Sequence, residues 1–165
     1  MILCFVTMRE RYYRHSQVDF DQLMEEIVPL IDSHGHRQQI MLQSTYGSDD
    51  FLYGTGRIQY PVDEREFNVP FWSSLNYTNQ ILTSLGMYRS RLMFMRKTVY
   101  SWHHDPSPRI HIPLISNTET NFMVIEDEVI RMKPDGSVYW VDTTRKHTYV
   151  NTSDELRVHI VGCVE

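Results

Sequence analysis

The chain has 165 residues, 41% of them hydrophobic, and a formal net charge of −5. That length suits one domain with its own core and excludes both a disordered chain and two domains of ordinary size. The negative balance excludes a global basic field of the kind that draws proteins to nucleic acid. Alanine is absent while Val, Ile, Thr, Tyr and Phe are plentiful, which disfavours a helical bundle and predicts a mainly β fold. Thirteen of the 16 basic residues are Arg, a residue suited to two-pronged gripping of anions. Two cysteines, Cys4 and Cys163, make no disulfide framework and are expected reduced. The apolar start Met1–Met8 is too short for a membrane span, and its charges follow it, against the pattern of a signal peptide. The expectation is a cytoplasmic protein with no membrane or nucleic-acid partner.

In chain order, Asp19 to Ile31 predicts a first helix. Asp19 or Asp21 caps it, and Phe20, Leu23, Met24, Ile27 and Leu30 recur at helical spacing. Pro29 kinks it or marks its last turn, and Ser33-His34-Gly35-His36 ends it. The His34-x-His36 pair follows a helix in a glycine-containing turn and reads as a turn rather than a metal site. Gln38–Ser44 is a short strand, and Thr45–Pro70 a long loop with short ordered pieces. Trp72–Leu85 is a second helix, stopped by Gly86. Strands then follow closely at Arg89–Lys97, Val99–Asp105, Arg109–Ser116, Phe122–Met132, Ser137–Val141, Thr148–Val150 and Leu156–Val164. The organisation is a single domain over 1–165, with a helical and loop buttress over about 1–88 and a β half over about 89–165. Two packed sheets, a sandwich or jelly roll with two helices against it, fit this order.

The informative stretch is Trp102-His103-His104-Asp105-Pro106. In an extended strand His103 and Asp105 share a face and His104 points away, and Pro106 keeps Asp105 extended. His147, 42 residues beyond Asp105, can complete two imidazoles and one carboxylate, the facial triad of non-haem Fe(II) oxygenases. Arg157, ten residues after His147, lies with His159 opposite the aliphatic Leu156, Val158 and Ile160. An arginine facing a barrel interior needs an anion, and a dicarboxylate cosubstrate would supply one. A surface salt bridge to Asp142 or Glu155 is the alternative. Arg109 and His111 repeat the pattern opposite Ile110, Ile112 and Leu114.

These residues resemble the aspartyl/asparaginyl β-hydroxylase family of 2-oxoglutarate-dependent oxygenases, which includes bacterial proline cis-hydroxylases. The resemblance rests on His103-His104-Asp105, Arg109-Ile110-His111-Ile112-Pro113-Leu114, His147-Thr148-Tyr149-Val150-Asn151 and Arg157. It implies a double-stranded β-helix, a jelly-roll or cupin-like barrel with the two N-terminal helices packed on it. It also implies Fe(II) on His103, Asp105 and His147, with 2-oxoglutarate as cosubstrate. Arg157 then matches the arginine that grips the far carboxylate of 2-oxoglutarate, and Arg109 and His111 match an Arg-x-His pair near the cosubstrate. Asn151 matches a recurrent Asn read as turn chemistry. Animal-type aspartyl hydroxylases carry glycine at the acidic ligand, whereas this chain has Asp105, which is the proline-hydroxylase-like pattern.

The implied activity is hydroxylation of an amino acid or peptidyl side chain, a small-molecule class of substrate, with release of succinate and CO₂. Tyr139, Trp140 and the loop Thr45–Pro70 are the candidates for substrate contact, while Trp102 and His104 face away. A non-catalytic cupin-like metal-binding protein, or a structural jelly roll, would use the same fold.

Overall fold

The acidic cap expected at Asp19 is in place in the computed structural model, which describes residues 10–58 and 61–165. The segment Met1–Met8, with Cys4, lies outside the described residues. Helix α1 (Phe20–His34) starts where the Asp19 carboxylate accepts from the Gln22 amide at 3.1 Å. It buries Leu23, Ile27 and Ile31 on one side. Pro29 does not end it. One more turn follows, in which the Ser33 hydroxyl donates to the Pro29 carbonyl at 2.8 Å.

Helix α2 (Asn76–Ser84) begins four residues later than its apolar pattern suggests and has no side-chain cap of its own. Its first amides are taken instead by Glu26 of α1, whose carboxylate accepts from Tyr77 N, Thr78 N and the Thr78 hydroxyl, each at 2.8 Å. Burial raises the pKa of Glu26, but these hydrogen bonds outweigh it and hold the carboxyl below its ordinary value. The cap of one helix thus comes from the other, and a linear pattern cannot reveal it. Gly86, at φ +62°, takes the left-handed position that stops α2. Among the described residues no helix is long and apolar enough to cross a membrane.

The fold is mainly β. The strands are β1 (Tyr12–Gln17), β2 (Gln39–Met41), β3 (Gln43–Ser44), β4 (Val69–Pro70), β5 (Tyr88–Met95), β6 (Thr98–Val99) and β7 (Arg109–Ile115). They continue with β8 (Asn121–Ile125), β9 (Glu128–Ile130), β10 (Ser137–Val141), β11 (His147–Asn151) and β12 (Arg157–Cys163). A six-stranded antiparallel sheet has the order β1-β10-β7-β12-β5-β2 and a four-stranded sheet the order β6-β11-β8-β9, with β3 and β4 as a separate pair. This is a double-stranded β-helix.

Strand β1 was not signalled by its sequence. Tyr-Tyr-Arg-His-Ser-Gln has no apolar alternation because it is a largely exposed edge, held by pairing with β10. The span expected as one strand over Phe122–Met132 is two, because Glu126 turns the chain at φ +54° between β8 and β9.

The large sheet is covered on both faces. Its outer face, including Leu92, Ile110, Ile112, Val158 and Ile160, packs against Leu23, Ile27 and Ile31 of α1 and Ile81 and Leu82 of α2. A second apolar cluster of Met95, Met123, Ile125, Tyr139, Val141 and Tyr149 lies between the sheets. The polar side chains of β7 and β12 alternate with the aliphatics and so point to the barrel interior.

Asn151 performs the expected turn chemistry. Its amide donates to Met95 O at 3.0 Å and Glu155 O at 2.9 Å. Its carbonyl accepts from Asn121 at 2.9 Å and from the Ser153 amide at 3.0 Å. These contacts tie the β11–β12 turn to β5 and β8 and fix the start of β12, hence the register that aims Arg157 inward.

Candidate active site

One loop, carrying His103 and Asp105, and the three strands β7, β11 and β12 bring the expected site residues to one cavity of about 270 Å³. The stretch expected as a continuous strand over Val99–Asp105 pairs only at its ends. Val99 lies opposite Val150 and His103 opposite His147, so four steps on one side meet three on the other. The extra residue bulges Ser101 and Trp102 outward, which leaves Trp102 48% exposed beneath the Lys146 ammonium. Beyond the bulge, His103 and His147 exchange two backbone hydrogen bonds of 3.0 Å, and the Asp105 amide donates to Thr143 O at 2.9 Å. His103 and Asp105 therefore share a side, as the alternation predicts.

One ligand atom from each of His103, Asp105 and His147 lies within 4.8 Å of the others. The Nδ1 of His103 is 2.7 Å from Ser101 O and that of His147 is 2.9 Å from Arg145 O. Carbonyls only accept, so each Nδ1 carries the proton and each Nε2 presents a lone pair, as a metal-binding imidazole requires. Burial holds the His147 pKa below its ordinary value, and the hydrogen bond to the Arg145 carbonyl and the nearby Asp105 only partly offset this. The imidazole is then neutral at pH 7, and its Nε2, 3.7 Å from Asp105 Oδ2, makes no ion pair with it. Two imidazole lone pairs and a carboxylate converging on one point are the donor set of Fe(II).

Asp105 is held in turn by Arg109, whose Nε donates to Oδ2 at 3.2 Å. Arg109 also reaches Ser107 Oγ at 2.8 Å and Glu64 Oε1 at 3.3 Å. Glu64 comes from the long loop, on a one-turn helix Glu64–Glu66 with a capping box at Asp63, and it also pairs with Arg89. Burial raises the Glu64 pKa, but Arg109 and Arg89 outweigh it and keep the acid ionised.

Arg157 is 2% exposed. Its Cζ lies 3.8 Å from the centre of the Tyr149 ring, and its Nε and Nη2 have no hydrogen-bond partner among the described residues. The alternative of a surface salt bridge does not arise: Asp142 pairs with Arg145, and Glu155 accepts from Asn117. His111 lines the same cavity, with its Nδ1 lacking a partner among the described residues. His159 is fully buried behind it, 3.4 Å from the Tyr149 hydroxyl.

One expectation is corrected here. Tyr139 and Trp140 do not line the cavity: Tyr139 packs between the sheets and accepts from the Lys133 amide at 3.1 Å, and Trp140 stacks on Tyr13 at 5.2 Å on the other side of the sheet. His34, in the discounted His-x-His pair, packs against Phe51 and Trp72. The sequence reading passed over Arg91, Tyr149 and Glu64. Arg91 carries the signal used for Arg157, a guanidinium alternating with apolar Leu92 and Phe94. Glu64 carries none, since 45 residues separate it from Arg109.

Burial pushes the pKa values of His111 and His159 well below the ordinary 6.5, and Arg157 adds to both shifts. Below that value the unfolded chain binds protons that the folded chain refuses. Stability is therefore full above about pH 6.5 and falls as the pH drops below it, by up to about 2.7 kcal/mol per pH unit for the two groups together. Melting temperatures of the metal-free protein between about pH 7.5 and 5.5 should show this slope. A flat profile would mean that these rings are not buried neutral.

The barrel, with two imidazoles, a carboxylate and an interior arginine at one cavity, defines a non-haem iron oxygenase fold. Among solved structures the chain resembles AviO1 from Streptomyces viridochromogenes Tue57, with a TM-score of 0.55, 13% identity, and coverage of 94% of this chain and 90% of that one. It also resembles a prolyl hydroxylase from Trichoplax adhaerens in complex with a hypoxia-inducible factor peptide (TM-score 0.54, 12% identity, 93% and 82% covered). A viral collagen prolyl hydroxylase from Paramecium bursaria Chlorella virus-1 is similar again (TM-score 0.53, 10% identity, 94% and 91% covered). At these identities the likeness is one of fold. No curated protein matches the sequence.

The family model for aspartyl/asparaginyl β-hydroxylases matches residues 59–164, and the chain belongs to that family. It is a dioxygenase that uses Fe(II) and 2-oxoglutarate.

Proposed function

We propose that His103, Asp105 and His147 hold the iron, that Arg157 receives the distal carboxylate of 2-oxoglutarate, and that the enzyme hydroxylates an amino acid or an amino-acid side chain. The observation that carries the reading is the convergence of the three ligand atoms within 4.8 Å in the cavity that Arg157 also lines. The Nδ1 protons of His103 and His147, held on Ser101 and Arg145 carbonyls, keep both Nε2 lone pairs aimed at a single cation. Arg109, expected beside the cosubstrate with His111, acts through Asp105, which it orients from one side while Glu64 steadies it from the other. His111 is neutral and offers the cosubstrate a ring nitrogen from the cavity wall. Arg157 supplies a buried guanidinium that no acid among the described residues neutralises, and a carboxylate fits that need. With iron and 2-oxoglutarate bound, the site supplies oxidative decarboxylation to succinate and CO₂ coupled to oxidation of a substrate C–H bond.

A carboxylate in the triad supports the proline-hydroxylase-like branch. Two of the similar structures are prolyl hydroxylases, which makes a free amino acid or a peptidyl side chain the first class to test. The net charge of −5 and the burial of the site arginines speak for such a substrate over nucleic acid. A buried thiol at Cys163 suits a reducing, cytoplasmic setting.

The test is anaerobic addition of 2-oxoglutarate to the Fe(II)-loaded protein, followed in air by succinate release screened against the twenty free amino acids. A weak visible charge-transfer band and iron-dependent succinate, stimulated by one of the additions, are expected. A colourless mixture without succinate would leave a metal-binding barrel and end the proposal.

A further inference from the structure

Arg91, Arg109 and Arg157 line the cavity and Arg89 adjoins it through Glu64, and among the described residues two carboxylates answer the four. Glu64 is shared by Arg89 and Arg109, and Asp105 pairs with Arg109. Fe(II) would add two positive charges and 2-oxoglutarate two negative ones, so loading leaves the surplus at two. Arg157 is met by the cosubstrate in the reading above. Arg91 has no such partner. It is 7% exposed, its Nε lacks a hydrogen-bond partner among the described residues, and it lines the cavity.

The placement of Arg91 is built into the sheet. On β12, Val161 and Cys163 are two residues apart, while their partners Arg91 and Tyr88 on β5 are three apart. The extra residue is accommodated at Arg89, whose φ of +51° is left-handed for a side chain that would ordinarily avoid it. The Arg89 amide is bonded to Phe67 O at 2.7 Å and its Nε to Gly54 O at 3.0 Å, so the loop holds the bulge in place. After the bulge, Arg91 stands in one cross-strand row with Val161 and His111. Arg157 is four residues from Val161 along β12, an offset of roughly 13 Å at the backbone. The two arginines are therefore offset along the barrel at the backbone, Arg91 in the row of His111 and Arg157 in the row of Met95.

The neighbouring thiol cannot serve as counterion, since burial raises the Cys163 pKa and keeps it protonated. Burial also lowers the Arg91 pKa, to about 10, which still leaves it charged at neutral pH. A buried, charged guanidinium that no acid among the described residues pairs with is costly to the ligand-free fold.

We infer that Arg91 is the residue that receives a carboxylate of the substrate, so that the enzyme selects a small carboxylic acid, a free amino acid first among them, over its neutral amide. This rests on the dioxygenase reading of the cavity and adds a specificity residue to it. Met93 and Val161 line the cavity beside Arg91, together with the polar Gln39 and His111. They suit a compact carboxylate with a short aliphatic body better than a phosphate, which needs more donors than one guanidinium.

The test is direct binding. The twenty free L-amino acids and their α-carboxamides are titrated by saturation-transfer NMR against protein loaded with 2-oxoglutarate and Zn(II), a redox-inert substitute for iron. At least one acid should bind at least about tenfold more tightly than its amide. Arg91→Met should bring that ratio to about one while 2-oxoglutarate affinity changes by less than about twofold, and Arg91→Lys should keep part of the preference. The ligand-free Arg91→Met protein should melt at or above the wild-type temperature.

An amide bound as well as its acid, or no acid bound, would overturn the inference. So would a tenfold loss of 2-oxoglutarate affinity in Arg91→Met, which would assign Arg91 to the cosubstrate. A melting temperature several degrees below wild type would make Arg91 structural. Failure of Zn(II) and 2-oxoglutarate to load the wild-type protein strikes the dioxygenase reading itself and takes this inference with it.

Discussion

Replacing Asp105 by alanine should lower iron-dependent succinate release by more than about 100-fold, because it removes the one anionic donor of the three. Two neutral imidazoles would then carry the cation alone, and iron would be held more weakly as well as less tightly oriented. The fold should survive. Asp105 Oδ2 is one of several partners of Arg109, which keeps Ser107 and Glu64 when the carboxylate is gone. The expected structural cost is therefore about 1 kcal/mol, that of a partly exposed charge-assisted hydrogen bond. The measurements are succinate yield against added Fe(II), iron content after gel filtration, and the melting temperature. Full activity in Asp105→Ala would show that this chain works with two histidines alone, as the glycine-bearing members of its family do, and would remove the acid from the site.

Arg157→Ala should raise the 2-oxoglutarate concentration needed for half-maximal turnover by roughly 10- to 100-fold, since charge-assisted hydrogen bonds contribute about 1.5–3 kcal/mol. Metal affinity should change far less, because Arg157 sits on the Tyr149 ring rather than against a ligand. Truncation opens a void in a packed interior, so Arg157→Met is the companion variant. It keeps most of the volume and removes a buried charge whose Nε and Nη2 are unpartnered among the described residues. Its ligand-free melting temperature should match or exceed that of the wild type, while the 2-oxoglutarate requirement rises as in the alanine variant. Equal losses of iron and 2-oxoglutarate binding in both variants would point to a folding defect instead.

Substitution at either position separates two properties that the site combines. The three proposed metal donors, two of them part-exposed and His147 buried, depend on geometry. The arginines are buried and depend on an anion arriving. A protein that keeps such charges uncompensated sacrifices stability in the ligand-free state, and cosubstrate binding should restore part of it as a rise in melting temperature.

The linear chain determined most of the barrel and which of its polar side chains face the cavity. Alternation put Arg157 and His159 opposite Val158 and Ile160, and Arg109 and His111 opposite Ile110 and Ile112, because a strand with one face against helices and one toward the interior must alternate. The spacing of His103 and Asp105 survived even though their strand was interrupted, since the bulge at Ser101 and Trp102 falls before the pair and shifts both together. Tertiary structure alone decided the rest. Edge strand β1 forms because β10 offers it unpaired backbone groups, and α2 starts at Asn76 because Glu26 of another helix takes its first amides. Glu64 reaches Arg89 and Arg109 from a loop without periodicity, and the bulge at Arg89 sets where Arg91 points. In each case the deciding interaction joins groups far apart in sequence. A local pattern records which face a residue takes within its own element, but not which distant group it will meet.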